Sequence, residues 1–555
     1  MIIVRPLLRL WSSFSAAGLL LGTVLFAMSL TPSLVPRPVA LQVMVSGVAL
    51  AAGYGVGFLG RWLWDFMELP HLPGRLGQFV KLVLAVASLG IAVLSLANAA
   101  AWQDSVGLLM NMAPVESSRP VTVGLLGFSL FLLIIAIARL FGFVARRFSR
   151  MLRRFVPRRV SIVMGSAGAL IVFWLLIEGV AIRWTLNTFD LSFQQLDSLV
   201  EADQAPPSAS ERVGSKASLV DWQDLGRQGR RFVSGVVTRA ELEAFFGDSV
   251  REPVRVYVGL NSAETIEARV ELALAEMFRT GAFERQVLVV VTPTGTGWVD
   301  SGAIRSVEYL HRGDVASVAI QYSYLPSWLT LLTQPEYGAE TARRLFEAVY
   351  RHWSAMDKAT RPRLYLQGLS LGALNSGRSV DIWDIVGDPV HGALWSGPPF
   401  RSGTWQWVTR NRNPGSPAWL PAFRDGSVIR FTNQEATLGA PDEGWGPLRI
   451  VYLQYASDPI TFFDPQSFFR EPEWMRAPRG PDVSDSLRWV PMVTFLQLAA
   501  DILGADSAPI GYGHTYATEH YIDGWRAVSQ PSGWTDEDIA RLKLRIGDLQ
   551  GASGP

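Results

Sequence analysis

Residues 363–378 read R-L-Y-L-Q-G-L-S-L-G-A-L-N-S-G-R. Leu364-Tyr365-Leu366 has the pattern of a short buried strand, and Ala373-Leu374 can open a helix. Between them stands Gly368-Leu369-Ser370-Leu371-Gly372. A serine lifted out of a sheet on a sharp strand-to-helix turn needs glycine two positions to either side, where the backbone leaves no room for a side chain. The spacing therefore predicts a nucleophile elbow with Ser370 at its tip and the next helix aiming its N-terminus at the reaction centre. In a chain with 50 glycines the pentapeptide alone competes with chance, so the flanking strand and helix carry the reading.

Working outward, strand-like runs at 255–260 (R-V-Y-V-G-L), 287–291 (V-L-V-V-V), 315–322, 392–396 and 449–455 alternate with helical spacing at 263–279 and 340–353. Continuous apolar strands separated by helices predict a doubly wound α/β sheet with helices on both faces, over a domain at 251–555. Residues 397–446, rich in Trp, Pro, Arg and Asn, read as an irregular insertion over the carboxyl ends of the strands, where open sheets bind ligands. Trp405, Trp407 and Trp419 there either line an acyl-binding or membrane-facing cap or simply pack the insertion together.

A serine nucleophile needs a base, and the base an orienting acid, here in the chain order serine, acid, histidine. Of six histidines only His514 and His520 follow the late strands. His514, in G-Y-G-H-T-Y, sits in a glycine-rich loop able to reach Ser370, and is preferred over His520 in A-T-E-H-Y. Asp458, in Y-A-S-D-P just past the strand at 449–455, is the expected acid. Asp464 lies farther from the strand end, and both could instead cap turns. The oxyanion hole needs two backbone donors, expected from Leu371 and from Gly295, Thr296 or Gly297 in T-P-T-G-T-G-W-V-D after the strand at 287–291. That loop lacks the Lys and Ser/Thr of a phosphate loop, no H-E-x-x-H occurs, and no metal or other cofactor is expected.

The N-terminal 186 residues differ in kind. Uncharged apolar runs at 10–30, 39–60, 82–101, 121–138 and 160–177 each approach the roughly 20 residues that span hydrocarbon, which predicts a five-span helical transmembrane bundle. Glycines at 47, 53, 55, 57 and 60 suit close helix packing. Arg5 and Arg9, then Arg61, Arg75 and Lys81, then eight arginines from Arg139 to Arg159 fall on one set of connections; Arg37 and the sparse Asp104, Glu116 and Arg119 fall on the other. The positive-inside bias puts the N-terminus in the cytoplasm and everything after Trp184 outside. Phe148, Met151, Leu152 and Phe155 between arginines suggest a helix lying on an anionic leaflet. Glu178, near the end of the fifth run and close to Arg183, is read as interfacial. Residues 187–250 read as a linker and lead-in, with A-P-P-S-A-S at 205–210 as a joint.

Hydrophobic residues make up 49% of the chain, which accords with a membrane part; a net charge of +1 gives no support to nucleic-acid binding. With no cysteine, disulfides and thiolate catalysis are excluded.

The apolar N-terminus, T-G-T-G-W-V-D, Q-Y-S-Y-L-P-S-W at 321–328, G-L-S-L-G, Y-A-S-D-P and G-Y-G-H together resemble a bacterial family of membrane-anchored α/β-hydrolases over nearly the whole chain. The resemblance implies a Ser370–Asp458–His514 triad, in agreement with the reading from the residues. It says little about substrate, since such folds host many reactions. The expectation is a serine hydrolase or acyl-transferring enzyme on the outer face of a bacterial inner membrane, with the bilayer and an ester or lipid-like small molecule as partners. The alternative is a non-catalytic membrane scaffold with a hydrolase-like domain. A transporter is disfavoured because the apolar runs carry almost no ionisable residues.

Overall fold

The computed structural model describes residues 14–71, 74–114, 119–182, 195–199, 204–247, 249–327, 329–330, 335–436, 438 and 444–552. Arg5, Arg9, Glu116, Arg183, Trp184 and Trp328 lie outside them. The chain divides into two compact units, one made of Met1–Leu186 with Phe463–Pro509, the other of Asn187–Phe462 with Ile510–Pro555.

The first unit is helical, with α1 (Ala16–Ser29), α2 (Val39–Phe66), α3 (Gly74–Gly107), α4 (Pro120–Leu152) and α5 (Arg158–Trp174), the last continued by wider π-type turns over Leu175–Ile182. Close approach of α1 and α2 rests on facing glycines: a Cβ on Gly53 would stand 2.7 Å from Gly22 Cα, and one on Gly57 2.7 Å from Gly18 Cα. That is the small-residue packing by which helices associate in lipid, where no hydrophobic effect separates helix from solvent. Four helices among the described residues are long and apolar enough to cross a membrane, not five. Of the expected first span, 10–30, residues 10–13 lie outside the described residues, and the described part holds α1, about 21 Å of helix. The basic stretch at 139–154 is no separate surface helix either. No breaker intervenes before Pro157, so α4 runs through it to Leu152.

The second unit is built on a seven-stranded, wholly parallel sheet. Its strands are β1 (Val254–Val258), β2 (Val287–Thr292), β3 (Val315–Ile320), β4 (Arg363–Leu369), β5 (Gly392–Ser396), β6 (Ile429–Thr432) and β7 (Arg449–Leu453), in the order β1-β3-β2-β4-β5-β7-β6. Every residue of β1, β2, β3 and β5 is buried, as two covered faces require. Helices α6 (Ile266–Arg279), α7 (Ser301–Leu310), α8 (Pro335–Ala355) and α9 (Leu371–Arg378) follow β1 to β4 in turn. The chain leaves β2 toward β3 on one side and β4 toward β5 on the other, so the connections after β2 and β4 diverge. A crevice at the carboxyl ends of those two strands is the consequence.

Two expectations about this half change. The stretch 397–446 is not wholly irregular, since it holds a helix at Gly403–Arg410 and the edge strand β6. The larger departure is Phe463–Pro509, expected to be part of the hydrolase domain. It joins the helical unit instead, with α10 (Val493–Leu503) packed on α1 and α2. The buried Asp501 carboxylate accepts the Ser33 hydroxyl and Leu34 N–H (3.1 Å) and lies 3.6 Å from the buried Arg37 guanidinium. Gln497 Nε2 donates to Thr31 O (3.0 Å) and Ser507 Oγ to Pro36 O (2.7 Å). The chain returns to the hydrolase unit for α11 (Thr518–Ser529) and α12 (Asp536–Ala552).

Candidate active site

Ser370 stands between β4 and α9 with φ 56° and ψ −125°, a conformation that costs a non-glycine residue of order 1–3 kcal/mol and clusters at functional sites. Its neighbours explain how it is held. A Cβ on Gly372 would come 2.2 Å from Thr292 O at the end of β2, and one on Gly368 would come 2.5 Å from the Gly372 backbone. The elbow can close only with glycine at both positions. Ser370 N–H donates to Ser396 O (2.9 Å), which fastens the turn to the end of β5.

The next residue, Gly397, links the elbow to the other two candidates. It has φ +49°, and a Cβ there would stand 2.7 Å from His514 Cε1 and 3.0 Å from Asp458 Oδ2. His514 Nδ1 lies 2.8 Å from Asp458 Oδ2, a distance at which Nδ1–H donates and Nε2 is left with its lone pair. Asp458 is completely buried, yet well satisfied. Oδ1 accepts Ile460 N–H (2.8 Å) and Thr461 N–H (3.3 Å), capping the short Pro459–Phe462 helix, while Oδ2 takes Thr461 Oγ1 (3.2 Å), His514 and Tyr516. The capping role weighed against a catalytic one thus coexists with the contact to His514. Gly513 N–H donates to Ser457 Oγ (2.9 Å), so adjacent residues of the two loops are also joined. Asp464, by contrast, only caps a turn through Gln466 N–H (2.8 Å).

His520 is occupied elsewhere. The Tyr455 hydroxyl accepts Ala517 N–H (3.1 Å) and turns its own proton to His520 Nδ1 (2.6 Å), and burial lowers that imidazole to about 4. Burial likewise lowers His311 to about 3 and His391 to about 4.

The loop after β2 is clamped by the Q-Y-S-Y-L-P-S segment that follows β3. Gln321 Nε2 donates to Thr296 O (3.2 Å), Tyr322 OH to Pro293 O (3.2 Å), and Ser327 Oγ accepts Gly295 N–H (3.1 Å). Gly297 N–H is turned back to Thr294 O (3.0 Å). Of the three loop donors expected for an oxyanion, two are therefore engaged within the scaffold, which leaves Thr296 N–H as the loop's candidate and Leu371 N–H, at the start of α9, as the other. The tryptophans of 397–446 divide: Trp405 is buried and donates to Gln454 Oε1 (2.7 Å), Trp419 O accepts Gln454 Nε2 (2.8 Å), and Trp407 is half exposed.

Three participants escaped the sequence reading. Tyr516 OH donates to Asp458 Oδ2 at 2.7 Å, and burial, reinforced by that carboxylate, pushes its phenol well above its ordinary value, so it stays a donor. Gly397 gives the His514 ring its room. Asp300 caps α7 through Gly302 N–H (2.8 Å) and accepts Tyr521 OH (3.0 Å); burial pushes it up to about 6, opposed by those bonds and by the charge of His514. The G-P-P after β5 and the Tyr two places past His514 were the only local signals.

Neither the curated proteins nor the solved structures contained a match to the chain. Two family models do match, one described as an alpha/beta-hydrolase family over residues 254–542, the other as the N-terminus of an alpha/beta-hydrolase family over residues 30–236. A parallel sheet with an elbow after its fourth strand, and a matched region that covers more than half of the sequence, lead to one assignment: the chain belongs to this alpha/beta-hydrolase family.

Proposed function

We propose that the protein is a membrane-anchored serine hydrolase that cleaves or transfers the acyl group of an ester. The observation that carries this is the arrangement around Gly397. Ser370, in a left-handed elbow, is bonded to the carbonyl that precedes Gly397, and the Asp458–His514 pair, 2.8 Å apart, lies against Gly397 itself. In this reading Ser370 Oγ attacks the ester carbonyl while His514 Nε2 takes its proton, and Asp458 holds the imidazole tautomer and balances the imidazolium. Leu371 and Thr296 N–H groups stabilise the oxyanion. The C–O bond to the alcohol breaks as His514 returns the proton to it, leaving an acyl-serine; water or another hydroxyl then repeats the sequence and frees Ser370.

An ester with a long acyl chain, lipid-like or envelope-derived, is the favoured substrate, because the apolar helices keep the hydrolase unit on a bilayer. The same reading has five crossings of a bacterial inner membrane, a cytoplasmic N-terminus and an extracytoplasmic hydrolase. It is supported by the loop charges, and by the packing of 463–509, part of the hydrolase stretch in sequence, on the sparsely basic connection after α1, where Asp501 meets 33–37, and on the end of α3 that leads into the other, where Ser484 Oγ is 3.0 Å from Ser105 Oγ.

Fluorophosphonate labelling of membranes tests the chemistry. Wild type should label, Ser370→Ala should not, and His514→Ala should label about 100-fold more slowly or worse, as loss of a general base predicts. Failure of the wild type to label, or undiminished labelling of Ser370→Ala, would instead favour the scaffold reading.

A further inference from the structure

The segment Phe463–Pro509 interrupts the hydrolase unit between Asp458 and His514, yet it packs with the apolar helices. Helix α10 lays Val493 against Leu25 of α1 and Ala49 of α2, with Val490, Met492 and Leu496 around them. Ala49 is near the middle of the uncharged run 39–60, which at 1.5 Å per residue is roughly 33 Å long, about the thickness of the hydrocarbon core. From there α10 runs outward. Gln497 reaches Thr31 O, Asp501 reaches Leu34 N–H, and Gly504 abuts Leu41 near the start of α2. The N-terminal end of α10 is therefore its deep end.

The stretch around the start of α10 is apolar. Residues 489–500, W-V-P-M-V-T-F-L-Q-L-A-A, carry no charge. Met492 N–H donates to Phe468 O (2.8 Å) and Trp489 Nε1 to Ser467 O (2.9 Å), which holds a second turn beside it. On that turn Phe468 and Phe469 are 45% and 68% exposed. Adjacent exposed phenylalanines cost free energy in water and gain it among acyl chains.

We propose that 463–509 is a membrane wedge: an excursion of the hydrolase chain that enters the lipid leaflet beside α1 and α2, with Phe468, Phe469 and Met492 among the acyl chains. The bilayer would then hold the chain between the acid and the base in sequence, as well as through the N-terminal helices.

The natural chain has no cysteine, so single cysteines report cleanly. Full-length Phe469→Cys and Asp506→Cys, each carrying an environment-sensitive fluorophore, are reconstituted into phosphatidylcholine–phosphatidylglycerol vesicles, with and without lipids spin-labelled high on the acyl chain. The label at 469 should be blue-shifted and quenched by about twofold or more, and the label at 506, past the outer end of α10, should be unaffected. Phe468→Cys serves as the second deep position and should follow 469. Water-like emission at both deep positions, or equal quenching at 469 and 506, overturns the proposal. Because the readout needs no catalysis, it stands or falls apart from the fluorophosphonate result.

Discussion

Asp458 Oδ2 is shared by three donors, Thr461, His514 and Tyr516, and the third lowers the charge density that the imidazole feels. Tyr516→Phe deletes that donor and little else, since the ring stays stacked on Tyr455 with centroids 4.5 Å apart. The carboxylate should then hold an imidazolium more strongly. We expect the acid limb of the pH dependence of kcat/KM, or of fluorophosphonate labelling, to move up by about 0.5–1 pH unit. A drop in rate with no movement of the limb would mean that the hydroxyl serves packing alone. Ser370, Asp458 and His514 could be singled out as candidates in the sequence because few residue types suit such chemistry and their chain order is constrained. Tyr516 and Gly397 could not, because their roles arise only where β5, the 458 turn and the 514 loop converge, and no local spacing encodes that convergence.

At the scale of elements, strands covered on both faces write themselves as unbroken apolar runs, so β2, β3 and β5 were readable directly from V-L-V-V-V, V-A-S-V-A-I and G-A-L-W-S. The edge strand β6, I-R-F-T, was not: it is four residues long, and its arginine reaches out over Trp445, 3.8 Å from the ring centre. Helix α10 carries an apolar pattern, but its partners α1 and α2 lie more than 400 residues earlier, and nothing nearby announces them. Its one charge, Asp501, identifies the lock. Both Asp501 and Arg37 have fully buried side chains, and Arg37 also donates to Ser29 O (3.2 Å) and Thr31 O (2.8 Å). Asp501→Ala should therefore strand a buried guanidinium at a cost of about 3–5 kcal/mol, read as a lower Tm of the full chain in detergent. The double variant Arg37→Met/Asp501→Leu should recover part of that loss, because it removes both buried charges together. Single variants that melt with the wild type would show that the pair is not what holds α10.

For the whole molecule, sidedness follows from charge and connectivity together. The segment 463–509 is joined at both ends to chain of the hydrolase unit, and it packs on the connection after α1 and on Ser105 near the end of α3. The arginine-rich turn between α4 and α5 stands at the opposite end of a 33-residue helix, a separation of about 50 Å. Two ends that far apart, one nearly free of basic residues and the other crowded with them, should face opposite sides of a bilayer under the positive-inside bias. In spheroplasts of a bacterial expression host, Asp506→Cys should react with a membrane-impermeant maleimide. Arg154→Cys should react only after permeabilisation. The reverse pattern would move the hydrolase unit to the cytoplasm and remove the case for an envelope substrate, while leaving the elbow chemistry intact. Labelling of both from outside would instead mean that the helices do not cross as a bundle, and the wedge would then have no leaflet to enter.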